Sequence, residues 1–180
     1  MHIRRLTEAD AAALRELRVR AVREHPDAFL VAAEDEERTT VADWAARLRE
    51  KAPRADDAIH GAFLDAPAGS GGAPRLVGMV GFFREPHRKL AHKAVIWGMY
   101  VAPEARGGAT GRALLDAALA ALRAVPDIEI VNLSVVVGNE AARALYLSAG
   151  FEHFGLERDA WKLGGRYLDE EMLALRLRPR

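Results

Sequence analysis

The stretch from Tyr100 to Leu122 limits the folds open to this chain more than any other. It runs from an apolar, strand-like end at Tyr100, Val101 and Ala102 through Pro103 into a loop of small residues, Arg106-Gly107-Gly108-Ala109-Thr110-Gly111-Arg112. A helical pattern follows over Arg112 to Arg123, with Leu115, Leu119 and Leu122 on one stripe. The glycines permit tight turns and close approach of backbone to a ligand. The start of the helix offers unpaired N–H groups to an anion. Together these features make a phosphate cradle. Strand, glycine loop and helix recur in many folds, so the surrounding elements must decide which cradle this is.

Those elements are mixed. Ile3 to Leu6 reads as a short strand, and Thr7-Glu8-Ala9-Asp10 as a capping box with aspartate in the fourth place. Leu14, Leu17 and Ala21 then mark one helical face, which Pro26 ends. Asp27 to Arg38 reads as acidic and irregular. Thr39 or Thr40 caps a second helix with Val41, Trp44, Ala45 and Leu48 inward, up to Pro53. Ile59 to Leu64 and Leu76 to Phe83 form an expected antiparallel hairpin around a glycine- and proline-rich turn over Asp65 to Pro74.

Ala94 to Val101 is the next strand. Ile128 to Val137 is another, apolar enough to be buried on both faces. Asn139 to Ala149 is a short helix stopped by Gly150. Phe151 opens a further strand, Gly164-Gly165 a turn, and Met172 to Leu177 a last strand. The order predicts an α+β fold: a mixed, mostly antiparallel central sheet with flanking helices, in one domain over residues 1–180. A right-handed crossover places the strands at Ala94 and Ile128 side by side and parallel.

This order weighs against two other phosphate-binding readings. The loop lacks the glycine-lysine-serine/threonine ending of a nucleotide P-loop. It also follows several strands, whereas the dinucleotide fingerprint follows the first strand of a doubly wound sheet.

The loop has a companion, Asn139-Glu140-Ala141-Ala142-Arg143-Ala144-Leu145-Tyr146, followed by Gly150-Phe151. The two motifs together resemble the GNAT superfamily of N-acetyltransferases, closely from about Trp97 to Phe154. The resemblance implies acetyl-CoA as co-substrate. It places the pyrophosphate on the backbone of Arg106, Gly107, Gly108, Ala109, Thr110, Gly111 and Arg112. It sets Met99, Tyr100 and Val101 along the pantetheine arm at a strand bulge, with Asn139 shaping the cleft. In the family loop a glycine is usual where Ala109 stands, and an alanine serves there if its φ is negative. The resemblance puts Tyr146 beside the coenzyme sulfur, where a phenol can donate a proton to the leaving thiolate.

Many relatives carry a glutamate as base on the strand before the loop, and Ala94 to Val101 contains no acid. Glu34 and His92 are the first candidates in its place, with His60 and His153 behind them. Glu34 belongs to the acidic segment where many relatives place an acceptor-binding loop, and His92 has a suitable intrinsic pKa. Asp169 or Glu170, after the Gly164-Gly165 turn, can hold a cationic amine. Trp44, Trp97 and Trp161 are candidates for the acceptor cleft, or for the core.

The implied reaction is direct transfer of acetyl to a primary amine of a small molecule or of a peptide or protein N-terminus. The chain has no cysteine, which removes disulfides and a thioester intermediate on the protein. Twenty-six basic and 26 acidic residues balance, giving no general surface for nucleic acid or an anionic membrane. The six histidines show no metal-ligand spacing. With no apolar leader or span, a cytoplasmic protein is expected. A homodimer is compatible with the sequence, with the last strand as an edge. The alternative class is a regulatory protein that binds acyl-CoA without turnover.

Overall fold

The computed structural model describes residues 1–66 and 71–178. Part of the expected glycine-rich turn, 67–70, lies outside them. Seven strands form one sheet: β1 (His2–Arg5), β2 (Asp57–Leu64), β3 (Arg75–Arg84), β4 (Lys93–Val101), β5 (Ile130–Val136), β6 (Glu152–Leu163) and β7 (Arg166–Arg176). Their spatial order is β1-β2-β3-β4-β5-β7-β6. Five helices accompany them: α1 (Ala11–Glu24), α2 (Ala33–Arg38), α3 (Val41–Lys51), α4 (Thr110–Arg123) and α5 (Glu140–Ser148).

The expected parallel pair is present. β4 and β5 run parallel, in register at Lys93 with Ile130, Ala94 with Val131 and Val95 with Asn132. All other neighbouring strands are antiparallel. The parallel register stops at Val95, so the second half of β4 and the second half of β5 part from each other. Across from that gap, β4 is bulged against β3. Gly81 faces Trp97 and Met79 faces Tyr100, leaving Val80 opposite both Gly98 and Met99. Gly98 has φ +63°, a conformation that costs glycine little and a β-branched residue much.

Helices cover the two faces separately. α4 packs on β2, β3 and β4, and a Cβ at Gly78 would meet Leu114. α1 and α3 pack on the other face. The α4 stripe is buried as its period predicts, with Leu114, Leu115 and Leu122 wholly covered. Leu14, Ala21 and Val22 of α1 are covered as completely, as are Val77 and Phe82 of β3. Each large apolar side chain so buried contributes about 1.5–3 kcal/mol.

Three readings change. Ala33–Arg38 is a helix rather than irregular chain. Its acidic first turn of Glu34, Asp35 and Glu36 suits a helix N-terminus, a signal that the lack of an apolar stripe hides. Val41 is 44% exposed, while Trp44 and Leu48 do turn inward. The last strand is not an edge: β7 lies between β5 and β6, and β6 forms that edge of the sheet. No described helix is long and apolar enough to cross a membrane.

Candidate active site

The loop after β4 begins with a short 3-10 turn, Pro103–Ala105, and leads into α4. Gly107 takes φ +77°, the one left-handed position the loop needs. Ala109 has φ −79° and ψ 8°, which alanine adopts freely, so the family's usual glycine is not required there. No side chain caps α4. Among the described residues, the backbone N–H groups from Gly107 to Arg112 find no acceptor in the protein. They are an unfilled row of donors reinforced by the helix dipole.

The loop's side chains are occupied elsewhere. Arg106 donates from Nε to the Val101 carbonyl at 2.8 Å, and its Nη2 lies 2.9 Å from His25 Nε2. Arg112 donates to Asp116 at 2.9 Å. Thr110 is buried, its hydroxyl 3.3 Å from the Met1 sulfur. The cradle is therefore made of backbone, with its side chains serving as tethers.

Beside the loop, the parting of β4 and β5 opens a cleft of about 340 Å³. Met99, Gly111, Asn139, Tyr146 and Glu170 are among its walls. The Ala102 N–H donates to the Val77 carbonyl, so Ala102 bonds toward β3. Backbone groups alternate along a strand, so those of Tyr100 also point to β3. Those of Met99 and Val101 then point into the gap. The Val101 carbonyl is taken by Arg106, while the Met99 amide and carbonyl and the Val101 amide face the gap beyond the last β4–β5 pair, with no strand opposite them among the described residues. Tyr100 itself turns away: its hydroxyl donates to Glu24 at 2.6 Å, and burial with that bond pushes its pKa up.

Three polar side chains complete the walls. Asn139 caps α5, its Oδ1 accepting from the Ala142 N–H at 3.3 Å. Tyr146 is buried on α5 against Phe151, ring centroids 6.0 Å apart in an edge contact. Burial pushes its pKa up to about 12. Its hydroxyl makes no hydrogen bond among the described residues.

The Glu170 side chain on β7 has no ion pair or hydrogen bond among the described residues either, in contrast to its neighbours. Asp169 accepts from the Asp159 N–H at 2.9 Å, and Glu171 is held by Arg143 at 2.9 Å. Glu170 stands opposite Val136, which shares a face of β5 with Ser134.

The structure gathers some expected residues and separates others. Met99, Tyr100, Val101, Arg106, Gly111, Asn139 and Tyr146 all line one cleft. Glu34 does not; it stands exposed on the first turn of α2. His92 precedes β4 at the end remote from the bulge, and its carbonyl accepts from Glu129 and Ile130. Seven residues of extended chain, about 23 Å, separate it from Met99. It lines a different depression with Arg84, Asp127 and Glu129.

His60 is packed against Phe82 within the sheet, and burial lowers its pKa. His153 is exposed on β6. Trp97 lines the cleft, whereas Trp161 does not. Sequence reading passed over Arg18, which is 4% exposed and paired with the buried Glu36. Its signal was present: Arg18 sits among Leu14, Leu17, Ala21 and Val22 on the buried stripe of α1.

A model of the acetyltransferase (GNAT) family matches residues 7–151. The chain belongs to that family. Its members are acetyltransferases. Solved structures agree on the fold over nearly the whole chain. A GNAT acetyltransferase of Streptococcus pneumoniae superposes with a TM-score of 0.85 at 19% identity, covering 97% of this chain and 98% of that one.

A ribosomal-protein-alanine N-acetyltransferase of Brucella melitensis gives 0.75 at 26% identity, covering 98% and 99%. A phosphinothricin acetyltransferase of Sinorhizobium meliloti, in complex with acetyl-CoA, gives 0.75 at 21% identity, covering 97% and 87%. The site of this GNAT enzyme fits such a donor on its own terms. The unfilled N–H row from Gly107 to Arg112 suits a pyrophosphate, and the gap-facing groups of Met99 and Val101 suit the amides of an extended arm.

Proposed function

We propose that the enzyme transfers acetyl from acetyl-CoA directly to a primary amine of a small molecule or of a peptide or protein N-terminus. The observation that carries this is the pairing of Tyr146 and Glu170. They are two polar side chains on one cleft, each without a hydrogen-bond or ion-pair partner among the described residues, at the end of an open strand edge. The 26% identity to a ribosomal-protein-alanine N-acetyltransferase supports an amine acceptor.

In the reaction the amine nitrogen bonds to the acyl carbon, the carbon–sulfur bond breaks, and the proton lost by nitrogen ends on sulfur. Glu170 accepts the proton from the amine, filling the place of the acid missing from β4. The Met99 N–H, facing the gap, polarises the acyl oxygen. Tyr146, with a pKa near 12, stays protonated and is a weak acid beside a thiol of about 8.5. Its part is to donate a hydrogen bond to the leaving sulfur rather than to supply the proton outright.

The test is thiol release from acetyl-CoA over a panel of amines, with the acetylated product identified by mass. Amine-dependent release with one acetyl added per amine is expected. Coenzyme A binding with no amine-dependent release supports the regulatory alternative instead. Glu170→Gln should lower kcat/KM by about a hundredfold, in the range for loss of a general base, with acetyl-CoA affinity retained.

A further inference from the structure

A second chamber, of about 480 Å³, opens between α1, α2 and α3, on the face of the sheet away from α4. It meets the cleft at Trp97, which lines both. Its floor is the buried pair of Arg18 and Glu36, 4% and 2% exposed. Both bonds of that pair end on one oxygen. Arg18 Nε donates to Glu36 Oε2 at 3.2 Å and Nη2 to the same oxygen at 2.5 Å. Nη1 of the arginine and Oε1 of the glutamate are left over.

The guanidinium is held in place by rings, with Phe29 at 5.3 Å, Trp97 at 5.9 Å and Trp44 at 6.0 Å from its carbon. So held, Nη1 reaches toward the bulge. It lies 3.4 Å from where a Cβ would stand on Gly98, a residue of the cleft wall. Among the described residues, three buried polar atoms on the walls of the chamber have no hydrogen-bond partner: Glu36 Oε1, Trp44 Nε1 and Trp97 Nε1, the last lying over Gly81. An unsatisfied buried group costs about 1–3 kcal/mol, so this concentration points to a group that the protein does not itself supply.

The inventory describes that group. Arg18 Nη1 and the two indole N–H groups are donors, and Glu36 Oε1 is the single acceptor. The rim does not tip the balance. Lys51 is paired with Asp57 and Asp35 with Arg38. Arg47, stacked 4.8 Å over Trp44, and Glu50 are both without an ion pair among the described residues and offset each other. Three donors against one acceptor suit an oxyanion with an N–H close by. A second cation would instead meet the unpaired edge of a buried arginine.

We propose that this chamber is the acceptor subsite and that the acceptor is a small amine of the amino-acid class. Its carboxylate is bound at Arg18 Nη1 and an N–H of the same molecule at Glu36 Oε1. The proposal rests on the acetyl-transfer reading and narrows it. Arg18 and Glu36 select the acceptor, and Glu170 and Tyr146 serve the chemistry.

The experiment uses the full chain with acetyl-CoA and three matched sets of acceptors: L-amino acids, their primary amides, and the corresponding decarboxylated amines. At least one amino acid should exceed its amide and its decarboxylated amine by about tenfold or more in kcat/KM. Arg18→Lys, which keeps the charge but loses the planar fork, should erase most of that ratio while leaving coenzyme A affinity within about twofold. Arg18→Gln is the second variant, for the case that Arg18→Lys fails to fold, and it should show the same loss of ratio. Turnover of amines without preference for the carboxylate overturns this inference and leaves acetyl transfer standing. Turnover of no amine in these sets and of no peptide N-terminus, with coenzyme A still bound, overturns both.

Discussion

The guanidinium of Arg106 donates to the carbonyl of Val101 at 2.8 Å, which closes the cradle loop back onto the strand that feeds it. The same side chain reaches His25 at the end of α1, so one residue ties loop, strand and helix together. A positive charge at this place invites the reading of a direct phosphate contact. The geometry makes it a positioning residue for the backbone donors that follow. Arg106→Gln should raise the KM for acetyl-CoA about fivefold to tenfold with kcat nearly unchanged, the pattern of lost uniform binding. Its salt dependence of KM should match that of the wild type. A steep loss of salt dependence in the variant would instead show a direct charge on phosphate.

Tyr146 can be tested through its protonation. Burial raises its pKa to about 12, so the hydroxyl keeps its proton throughout the ordinary assay range. Tyr146→Phe should lower kcat by about tenfold to a hundredfold and leave acetyl-CoA affinity within twofold. The wild-type profile should show no basic limb from this group below about pH 11. Folding responds with the same sign. The folded pKa lies above the unfolded value near 10, so the protein loses this contribution as pH rises from about 10 to 12. Tyr146→Phe should remove that loss in alkaline denaturation. An unchanged kcat would remove the hydroxyl from the chemistry.

The loop's departure from the family pattern yields a contrast between neighbours. Ala109 has φ −79° and Gly107 has φ +77°. Ala109→Gly should leave acetyl-CoA affinity within twofold, because no conformational freedom is missing there. Gly107→Val places a β-branched residue in a left-handed conformation and should cost about 1–2 kcal/mol in the ordered loop. In affinity that is roughly a factor of five to thirty. Space is not the issue, since no atom stands within 4 Å of a Cβ at Gly107. Isothermal titration with coenzyme A would separate the two; equal loss from both would mean the loop changes conformation on binding.

The loop, its helix and the Asn139 cap were legible in the sequence because glycine, helix-start and capping chemistry fix them within a few residues. Met99, Arg106, Gly111, Asn139 and Tyr146, the donor residues that the family resemblance implies, line one cleft. The residues of the proposed acceptor subsite are not local. Arg18 and Glu36 are 18 residues apart and meet only because α1 and α2 pack together. His92 attracted attention for its intrinsic pKa, and nothing in sequence spacing shows which end of a strand a histidine occupies. β7 looked like an edge because it came last, but the long β6–β7 hairpin folds back so that the final strand pairs with β5. Glu170 and Glu171 are adjacent acids of opposite fate, one in the cleft and one paired with Arg143, a distinction set by strand alternation against β5.

Glu104 gives a stability prediction at the root of the loop. It accepts from Arg20 of α1 through both oxygens at 2.9 Å and from Arg75 of β3 at 2.5 Å. The Arg20 bonds, helped by a backbone N–H and by Arg75, hold its carboxyl down at about 2. The folded pKa is below the unfolded value near 4.5. The contribution is therefore fully present above about pH 4.5 and lost as pH falls toward 2. The side chain is about a third exposed (32%), so solvent screening cuts the full linkage value to about 1 kcal/mol. Glu104→Gln should thus lower Tm at pH 7 by roughly 2–4 °C. Its deficit against the wild type should shrink between pH 4.5 and 2 as the wild-type carboxylate takes up its proton. Urea denaturation of both proteins at pH 7, 4 and 2.5 reads this directly. A deficit of constant size across that range would mean that Glu104 acts by packing alone, with no charge linkage between α1, β3 and the cradle.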